Sequence, residues 1–414
     1  MQENNTYQYF FVLGKNPSLS LAEITAVTQK DYPQAKSISR SQEILLLSSK
    51  DLLEEKKIQQ RLGGTVKIGK IITELNLSES QSDIFAAFSA EKLFLNFFSR
   101  DLKKIHFGLS LYFIDENPNI RQNSKKLLMD LSKYIKDELK TKGHSSGFVQ
   151  IKDRFLSSVS VAKNELLTKG SEIVLIVGKN VLYLGKTETV QDFAEYSWRD
   201  YGRPQRDAKR GLLPPKVAKM MINIAKISPS QTLLDPFCGS GTIIQEALLL
   251  GFENIIGSDI SKDAIEDVKK NIDWLRKQKN NISLNQKVDL FMSDVRNLTE
   301  HIPQSSIDVI VTEPYLGPPL KGFINRKRGE SIIKNLLPLY KDTFKSFNKI
   351  LKSQGVVVMI FPKFIINKET ISLFSYIKNE LKILGFSPKE NILYGSPAHF
   401  LYREIVHMVK YTLK

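Results

Sequence analysis

Leu233-Leu234-Asp235-Pro236-Phe237-Cys238-Gly239-Ser240-Gly241-Thr242 is the stretch that decides the fold. An apolar run ends on a carboxylate, and a loop with two glycines leads into the apolar, helix-prone segment that follows. Glycine frees the backbone to turn sharply and to approach a ligand, and a helix N-terminus beyond it adds inward-pointing N–H groups. Outward from this loop the chain alternates. Pro214-Pro215 opens a helix running to about residue 226, since proline suits a first turn. Strands are expected over 232–234, 255–258, 288–291, 307–312 and 356–361, with helices over 241–250, 262–277 and 331–351 between them. Strands alternating with helices predict a doubly wound, mostly parallel, Rossmann-like α/β sheet. Two later β-prone runs, 391–394 and 402–409, supply an antiparallel edge.

The first half reads differently. Residues 9–13 form a strand, Gly14-Lys15-Asn16-Pro17 a turn, and Ser20 with Glu23 three residues on has capping-box spacing for a helix start. Further strands are expected over 44–47 and 65–72. A second α+β unit contains the run 107–113 and a helix over 124–142, where Leu127, Leu128, Leu131, Ile135 and Leu139 share a face. The resulting organisation is two small units, 1–80 and 81–190, a linker over 191–212 that binds rather than packs, and an α/β domain over 213–414.

The formal net charge is +16. Residues 1–200 carry 28 basic and 24 acidic side chains and the remainder 32 and 20, so most of the excess lies in the α/β half. A basic surface favours a polyanionic partner, because each phosphate it neutralises releases counterions. Two clusters concentrate the charge: Arg203, Arg206, Lys209, Arg210, Lys216 and Lys219, then Lys321, Arg326, Lys327 and Arg328. Cys238 is the single cysteine, so no intrachain disulfide forms, which fits a reducing cytoplasm. The start of the chain lacks the pattern of a signal peptide, and no apolar run reaches membrane-spanning length. Five scattered histidines show no zinc-site spacing, so no metal is expected.

Three carboxylates fall at successive strand ends: Asp235, Asp259 and Asp294. Ligands gather at that edge of a doubly wound sheet. A third glycine, which a pyrophosphate loop would use, is replaced by Gln245-Glu246, and Asp235 would repel a pyrophosphate. This disfavours a nicotinamide-dependent oxidoreductase. S-adenosylmethionine fits better, because it brings an ammonium and a sulfonium. Asp259 is placed to accept from ribose hydroxyls and Asp294 from an adenine amine. The fourth strand runs into Thr312-Glu313-Pro314-Tyr315. An oxygen that holds the hydrogens of an exocyclic amine makes its lone pair more available, and an aromatic ring stacks an extruded base against the methyl donor.

With these motifs in view, the chain resembles the THUMP-domain methyltransferases that act on the 2-amino group of guanosine in tRNA, especially the guanosine-10 enzymes. The resemblance rests on Leu13-Gly14-Lys15-Asn16-Pro17 and Arg61-Leu62-Gly63-Gly64-Thr65, on Leu156-Ser157-Ser158-Val159-Ser160-Val161-Ala162-Lys163-Asn164, on Arg199-Asp200-Tyr201-Gly202-Arg203-Pro204, and on the cofactor loop. It implies a ferredoxin-like domain over 1–80 and a THUMP domain over 81–190 that grips tRNA, with Lys163 among its contacts. It further implies S-adenosylmethionine held by Asp235, Phe237, Gly239, Gly241, Asp259 and Asp294, and a target base held by Pro314 and Tyr315. The basic clusters around Arg203–Arg210 and Arg326–Arg328 are expected on phosphates. The family's Asp-Pro-Pro-Tyr motif is altered here: Thr312 stands at the Asp and Glu313 at the first Pro, so either Glu313 supplies the carboxylate or the Thr312 hydroxyl and a backbone carbonyl serve. Adenine or cytosine, in rRNA or DNA, are the alternative targets, and an RNA-binding homologue of weak activity is the alternative role. Some relatives work with a small activator subunit; otherwise a monomer is expected.

Overall fold

The computed structural model describes residues 6–77, 81–115, 118–150, 153–206, 213–278, 286–320, 324–367, 369–395 and 400–411. Two compact units divide at residue 193.

The first unit is built on one eight-stranded sheet. Its elements are β1 (Tyr7–Leu13), α1 (Pro17–Asp31), β2 (Lys36–Arg40), β3 (Ile44–Ser49), α2 (Glu55–Arg61), β4 (Thr65–Asn76), α3 (Gln81–Ala86), α4 (Ala90–Asn96), β5 (Lys104–Phe113), α5 (Pro118–Thr141), β6 (Ser145–Phe148), α6 (Ser158–Lys163), β7 (Gly170–Val177) and β8 (Val181–Val190). The strands run in the order β2-β3-β1-β4-β8-β7-β5-β6. The long strand β4 pairs with β1 on one side and β8 on the other, so a single sheet passes through both sequence blocks. α5 lays Leu128, Leu131, Ile135 and Leu139 on Phe107, Leu109 and Leu175, as its spacing predicts.

The capping-box reading of Ser20 and Glu23 does not hold. The helix begins earlier, after Asn16, with proline in its first turn. Ser20 Oγ donates to the Gly64 carbonyl at 2.8 Å, and the Glu23 carboxylate accepts from the amides of Gly63 and Gly64 at 2.7 and 2.8 Å. The pair therefore clamps a glycine turn 41 residues away, and a Cβ on Gly14 would stand 2.7 Å from the Gly64 carbonyl oxygen.

The second unit holds α7 (Phe193–Tyr201), α8 (Pro215–Ile224), β9 (Thr232–Asp235), α9 (Thr242–Leu249), β10 (Asn254–Asp259), α10 (Lys262–Gln278), β11 (Lys287–Met292), β12 (Ile307–Thr312), α11 (Arg326–Ile350), β13 (Leu351–Ile366), β14 (Glu369–Ser372), α12 (Leu373–Ile383), β15 (Phe386–Tyr394) and β16 (Leu401–Lys410). The sheet order is β11-β10-β9-β12-β13-β16-β15, with β14 pairing β13. β9 to β13 are parallel, and β16 inserts antiparallel between β13 and β15. This is the doubly wound, mostly parallel α/β sheet expected from the sequence, with its antiparallel edge. The central strand β9 is flanked by β10 and β12, which puts Asp235, Asp259 and Thr312 along one edge of the sheet.

The polar segment after residue 191 is not merely a linker. It forms α7, which buries Tyr196 and Arg199. Arg199 Nε donates to the buried Glu246 on α9 at 2.7 Å. The sequence reads as exposed because the side chains that pack here are charged.

A buried polar cluster joins four strands of the first unit. Lys67 Nζ donates to Glu172 at 2.5 Å and to the Leu156 carbonyl, while Ser110 and Thr187 complete the carboxylate's partners. Burial pulls the Lys67 ammonium below its ordinary value, against the attraction of Glu172. Removing one partner strands a buried charge and costs about 3–5 kcal/mol, whereas an apolar pair of similar volume can be neutral. Lys67→Met is therefore expected to lower the unfolding transition of this unit strongly, and Lys67→Met with Glu172→Leu to recover most of the loss, read by thermal melts of the whole chain. Equal damage in single and double variants would show that the ion pair is not what the cluster needs.

Candidate cofactor and active site

The loop after β9 is shaped by its two glycines. Gly239 and Gly241 adopt φ of +50° and +83°, a region that side chains with a Cβ rarely enter. The space before Gly239 is open, with nothing within 4 Å of where a Cβ would lie, whereas a Cβ on Gly241 would meet Val268 at 2.9 Å. One glycine thus leaves room for a ligand and the other lets α10 press against the loop. The Gly239 amide donates to Asp259 at 3.0 Å, and the Ser261 amide to the other oxygen of the same carboxylate at 2.9 Å. Asp259 fixes the loop and keeps further acceptor capacity.

Asp235 is buried at the floor of this edge. Thr312 Oγ1 donates to it at 2.7 Å and the Phe237 amide at 3.3 Å. Burial raises its pKa from 3.8 to about 7; these two donors oppose the rise, and the nearby carboxylates of Asp259 and Glu313 add to it. A cation placed beside Asp235 would restore its charge, which is what the ammonium of an amino-acid head supplies. The donor set therefore fits S-adenosylmethionine: an open glycine cradle, a carboxylate at the end of β10 with acceptor capacity to spare, and a buried acid short of a counter-charge.

The fourth-strand motif is held from behind. Glu313 is the first residue past β12, and Arg403 on β16 donates to its carboxylate at 2.5 Å. Burial pushes the Glu313 carboxyl up, and Arg403 pulls it back. Pro314 is buried, while the Tyr315 ring is half exposed. The Tyr315 carbonyl accepts from the hydroxyl of buried Tyr340 at 3.2 Å. Of the two side-chain oxygens of the altered motif, the Thr312 hydroxyl donates to Asp235, and the Glu313 carboxylate accepts from Arg403.

Asp294 caps the short 3-10 turn after β11, and both its oxygens are engaged by Arg296. An adenine amine at this position would have to share them. Two apolar residues at the same edge escaped the sequence reading: Ile260, 70% exposed, directly after Asp259, and Met292, 57% exposed, at the end of β11. Their signal was an apolar residue at a strand end where turns are usually polar. Exposed apolar side chains flanking a polar cleft suit the faces of a purine ring.

The basic residues separate by depth. Arg206 is exposed and lies over the Tyr201 ring at 4.5 Å. Arg326 is exposed but shared between Glu330 and Glu369, whereas Arg328 and Lys163 are simply exposed. Lys209, Arg210 and Lys321 lie outside the described residues. Arg203 is the exception: it is 4% exposed, and its guanidinium donates to Thr242 Oγ1 at 2.7 Å. Burial removes it from any surface phosphate path. Cys238 is also buried, and burial raises its thiol well above the ordinary value, which leaves no thiolate for nucleophilic work. Among the described residues no group of His, Cys, Asp or Glu is placed to hold a metal ion, and no helix is long and apolar enough to cross a membrane.

Comparison with known proteins agrees with this geometry. The model of an RMKL-like methyltransferase domain matches residues 203–385, and that of a DNA methylase family matches residues 21–270. The tRNA (guanine(10)-N2)-dimethyltransferase of Methanocaldococcus jannaschii is 24% identical over 311 residues, 74% of this chain and 79% of that enzyme. The enzyme of the same name from Methanothermobacter thermautotrophicus is 29% identical over 155 residues, 37% of this chain and 40% of that enzyme. In fold, the chain is similar to TrmN from Thermus thermophilus, with a TM-score of 0.57 at 14% identity, covering 97% of this chain and 99% of that one. It is also similar to SMU.472 complexed with SAH, with a TM-score of 0.52 at 12% identity, covering 99% of each chain. The class defined by sheet and loop is a Rossmann-like α/β fold. The chain belongs to the DNA methylase family whose model spans residues 21–270; it is a methyltransferase, and S-adenosylmethionine is its cofactor.

The raised Asp235 gives a pH test. Its folded form holds a proton below about 7, and a cationic head binds best to the ionised acid. Affinity for S-adenosylhomocysteine, measured calorimetrically, is expected to fall by up to about tenfold per pH unit below 7. Asp235→Asn is expected to bind weakly without that slope. Because this acid is raised by folding, the ligand-free protein loses stability as pH climbs from 3.8 towards 7. The same variant should lose that part of the pH dependence of melting. A flat binding profile for the unaltered protein would remove Asp235 from the ammonium.

Proposed function

We propose that the chain transfers a methyl group from S-adenosylmethionine to the exocyclic 2-amine of guanosine in tRNA. The observation that carries this reading is the Thr312–Asp235 hydrogen bond. It joins the strand end beneath the cofactor loop to the strand end that launches Glu313, Pro314 and Tyr315, so the methyl donor's seat and the acceptor's seat are adjacent. The two curated relatives described above, named tRNA (guanine(10)-N2)-dimethyltransferases, support guanosine and tRNA as the acceptor.

In this reading Asp235 takes the cofactor's ammonium, the glycine loop its methionine segment, and Asp259 its ribose, with Ile260 and Met292 on the faces of the adenine. Glu313 accepts hydrogens from the guanine amine, drawing the nitrogen lone pair out of conjugation and towards the sulfonium methyl. Arg403 opposes the upward pull of burial on the Glu313 carboxyl and aims it. Tyr315 stacks the extruded base on the buried wedge of Pro314. Methyl transfer is an in-line displacement: the amine nitrogen bonds the methyl carbon as the carbon–sulfur bond breaks, and the amine proton leaves through Glu313 to water. Most of the acceleration comes from holding the two reactants in line. Residues 1–80 and 81–190 serve as ferredoxin-like and THUMP domains that hold tRNA, residues 191–212 connect them to the catalytic domain of 213–414, and Arg206, Arg328 and Lys163 contact phosphates. The compartment is the cytoplasm, where tRNA is met.

The test is methyl transfer from labelled S-adenosylmethionine to unmodified tRNA, followed by mass spectrometry of the nucleosides. Methylated guanosine substituted at the 2-amine is expected. Glu313→Gln should lower kcat on the order of 10²-fold, within the span ascribed to a positioned acid or base, with cofactor affinity kept. Tyr315→Ala should mainly raise KM for tRNA. Methylation of adenine or cytosine, or of rRNA or DNA in preference to tRNA, would overturn the assignment.

A further inference from the structure

We propose that Arg203 is the seat of the cofactor's carboxylate. Its guanidinium is buried on the flank of the glycine loop, with one nitrogen on Thr242 Oγ1 at 2.7 Å. Its Nε and second terminal nitrogen are buried and have no hydrogen-bond partner among the described residues. Desolvation drags the group below the ordinary arginine range; Asp200 and Glu246 act on it through space and Arg206 repels it. Neither carboxylate reaches it. Glu246 is already taken by Arg199 and Lys219, and Asp200 by Arg206. A buried cation with two idle donors is costly, and chains keep such groups where a ligand completes them.

The surroundings narrow the ligand to an anion of small size. Thr242 is the first residue of α9, whose N-terminal end favours negative charge. The segment carrying Arg203 is stitched to the loop itself: the Gln205 amide donates to Asn271, and Asn271 donates in turn to the carbonyls of Gln205 and Ser240. Arg203 therefore keeps station with the loop that receives the cofactor. S-adenosylmethionine has a single anionic group, the carboxylate of its methionine. A polynucleotide phosphate, flanked by sugars, cannot follow a guanidinium to 4% exposure. With the ammonium beside Asp235, the zwitterionic head would meet opposite charges at its two ends, which sets its direction along the loop.

The experiment compares two ligands by calorimetry. S-adenosylhomocysteine carries the amino-acid head, and 5′-methylthioadenosine has the same nucleoside without it. Arg203→Met is expected to weaken S-adenosylhomocysteine about 10- to 100-fold, as for loss of a charge-assisted pair, and to leave methylthioadenosine within about twofold. Arg203→Lys should recover part of the loss. Trp198 and Trp274, stacked at 4.2 Å beside this segment, report local folding through near-ultraviolet dichroism. Should Arg203→Met disturb that signal, the Lys variant carries the comparison: a selective loss for S-adenosylhomocysteine upholds the assignment. Parallel losses for both ligands, or unchanged binding of S-adenosylhomocysteine, would overturn it and leave Arg203 as a structural tie to Thr242.

Discussion

A carboxylate buried at the end of a central strand must be answered, and the whole catalytic edge is arranged around the answer given to Asp235. Parallel pairing to β10 and β12 shuts water out from both sides. One hydroxyl and one amide reach it, too few to hold a full negative charge at neutral pH. The remaining deficit is what a cationic ligand makes good. The Thr312 hydroxyl is spent on Asp235, and in the proposed reaction the oxygen that holds the acceptor amine comes from the next residue, Glu313. That side chain lies in the same low-dielectric edge and needs its own counter-charge, which Arg403 brings from β16. The chain of contacts runs from Asp235 to Thr312 at the end of β12, on to Glu313, and from there to Arg403 on the inserted antiparallel strand.

This order explains why β16, which adds nothing to the parallel core, matters to chemistry. Its insertion beside β13 sets Arg403 opposite Pro362, within reach of the residue that leaves β12. Tyr340 on α11 fixes the next part of the same turn through a backbone carbonyl, so it constrains position without contributing a side-chain contact to substrate. A loop pinned at two points presents an exposed aromatic ring with little freedom of its backbone, which lowers the cost of ordering a base against it.

How much of this the sequence disclosed follows from what periodicity can encode. Strand–helix alternation, the glycine loop and the succession of Asp235, Asp259 and Asp294 are local patterns, and they placed the fold and the sheet edge. The tie between Thr312 and Asp235 spans 77 residues, and that between Arg403 and Glu313 spans 90; no spacing rule reaches so far. Ser20 and Glu23 show the opposite error. Their spacing is that of a local cap, yet their partners are Gly63 and Gly64, because a buried turn with unpaired amides competes better for a carboxylate than a helix end that water can satisfy.

Charge was the least faithful guide, for a reason that bears on function. Counting cations treats each as a surface group, yet Arg199, Arg203 and Lys219 are turned inward around α9. Two of them neutralise Glu246, which is buried behind the cofactor loop. The third, Arg203, has no carboxylate partner among the described residues. A net positive charge beneath the N-terminus of a helix is unfavourable for folding and favourable for holding an anion, which is the use proposed above for Arg203. The basic excess of this half of the chain therefore has two separable uses: an outer set, including Arg206 and Arg328, open to a polyanion, and an inner set that shapes the electrostatics of the cofactor loop. Salt should weaken what the outer set binds far more than what the inner set holds, since screening acts through water and these inner groups are closed off from it.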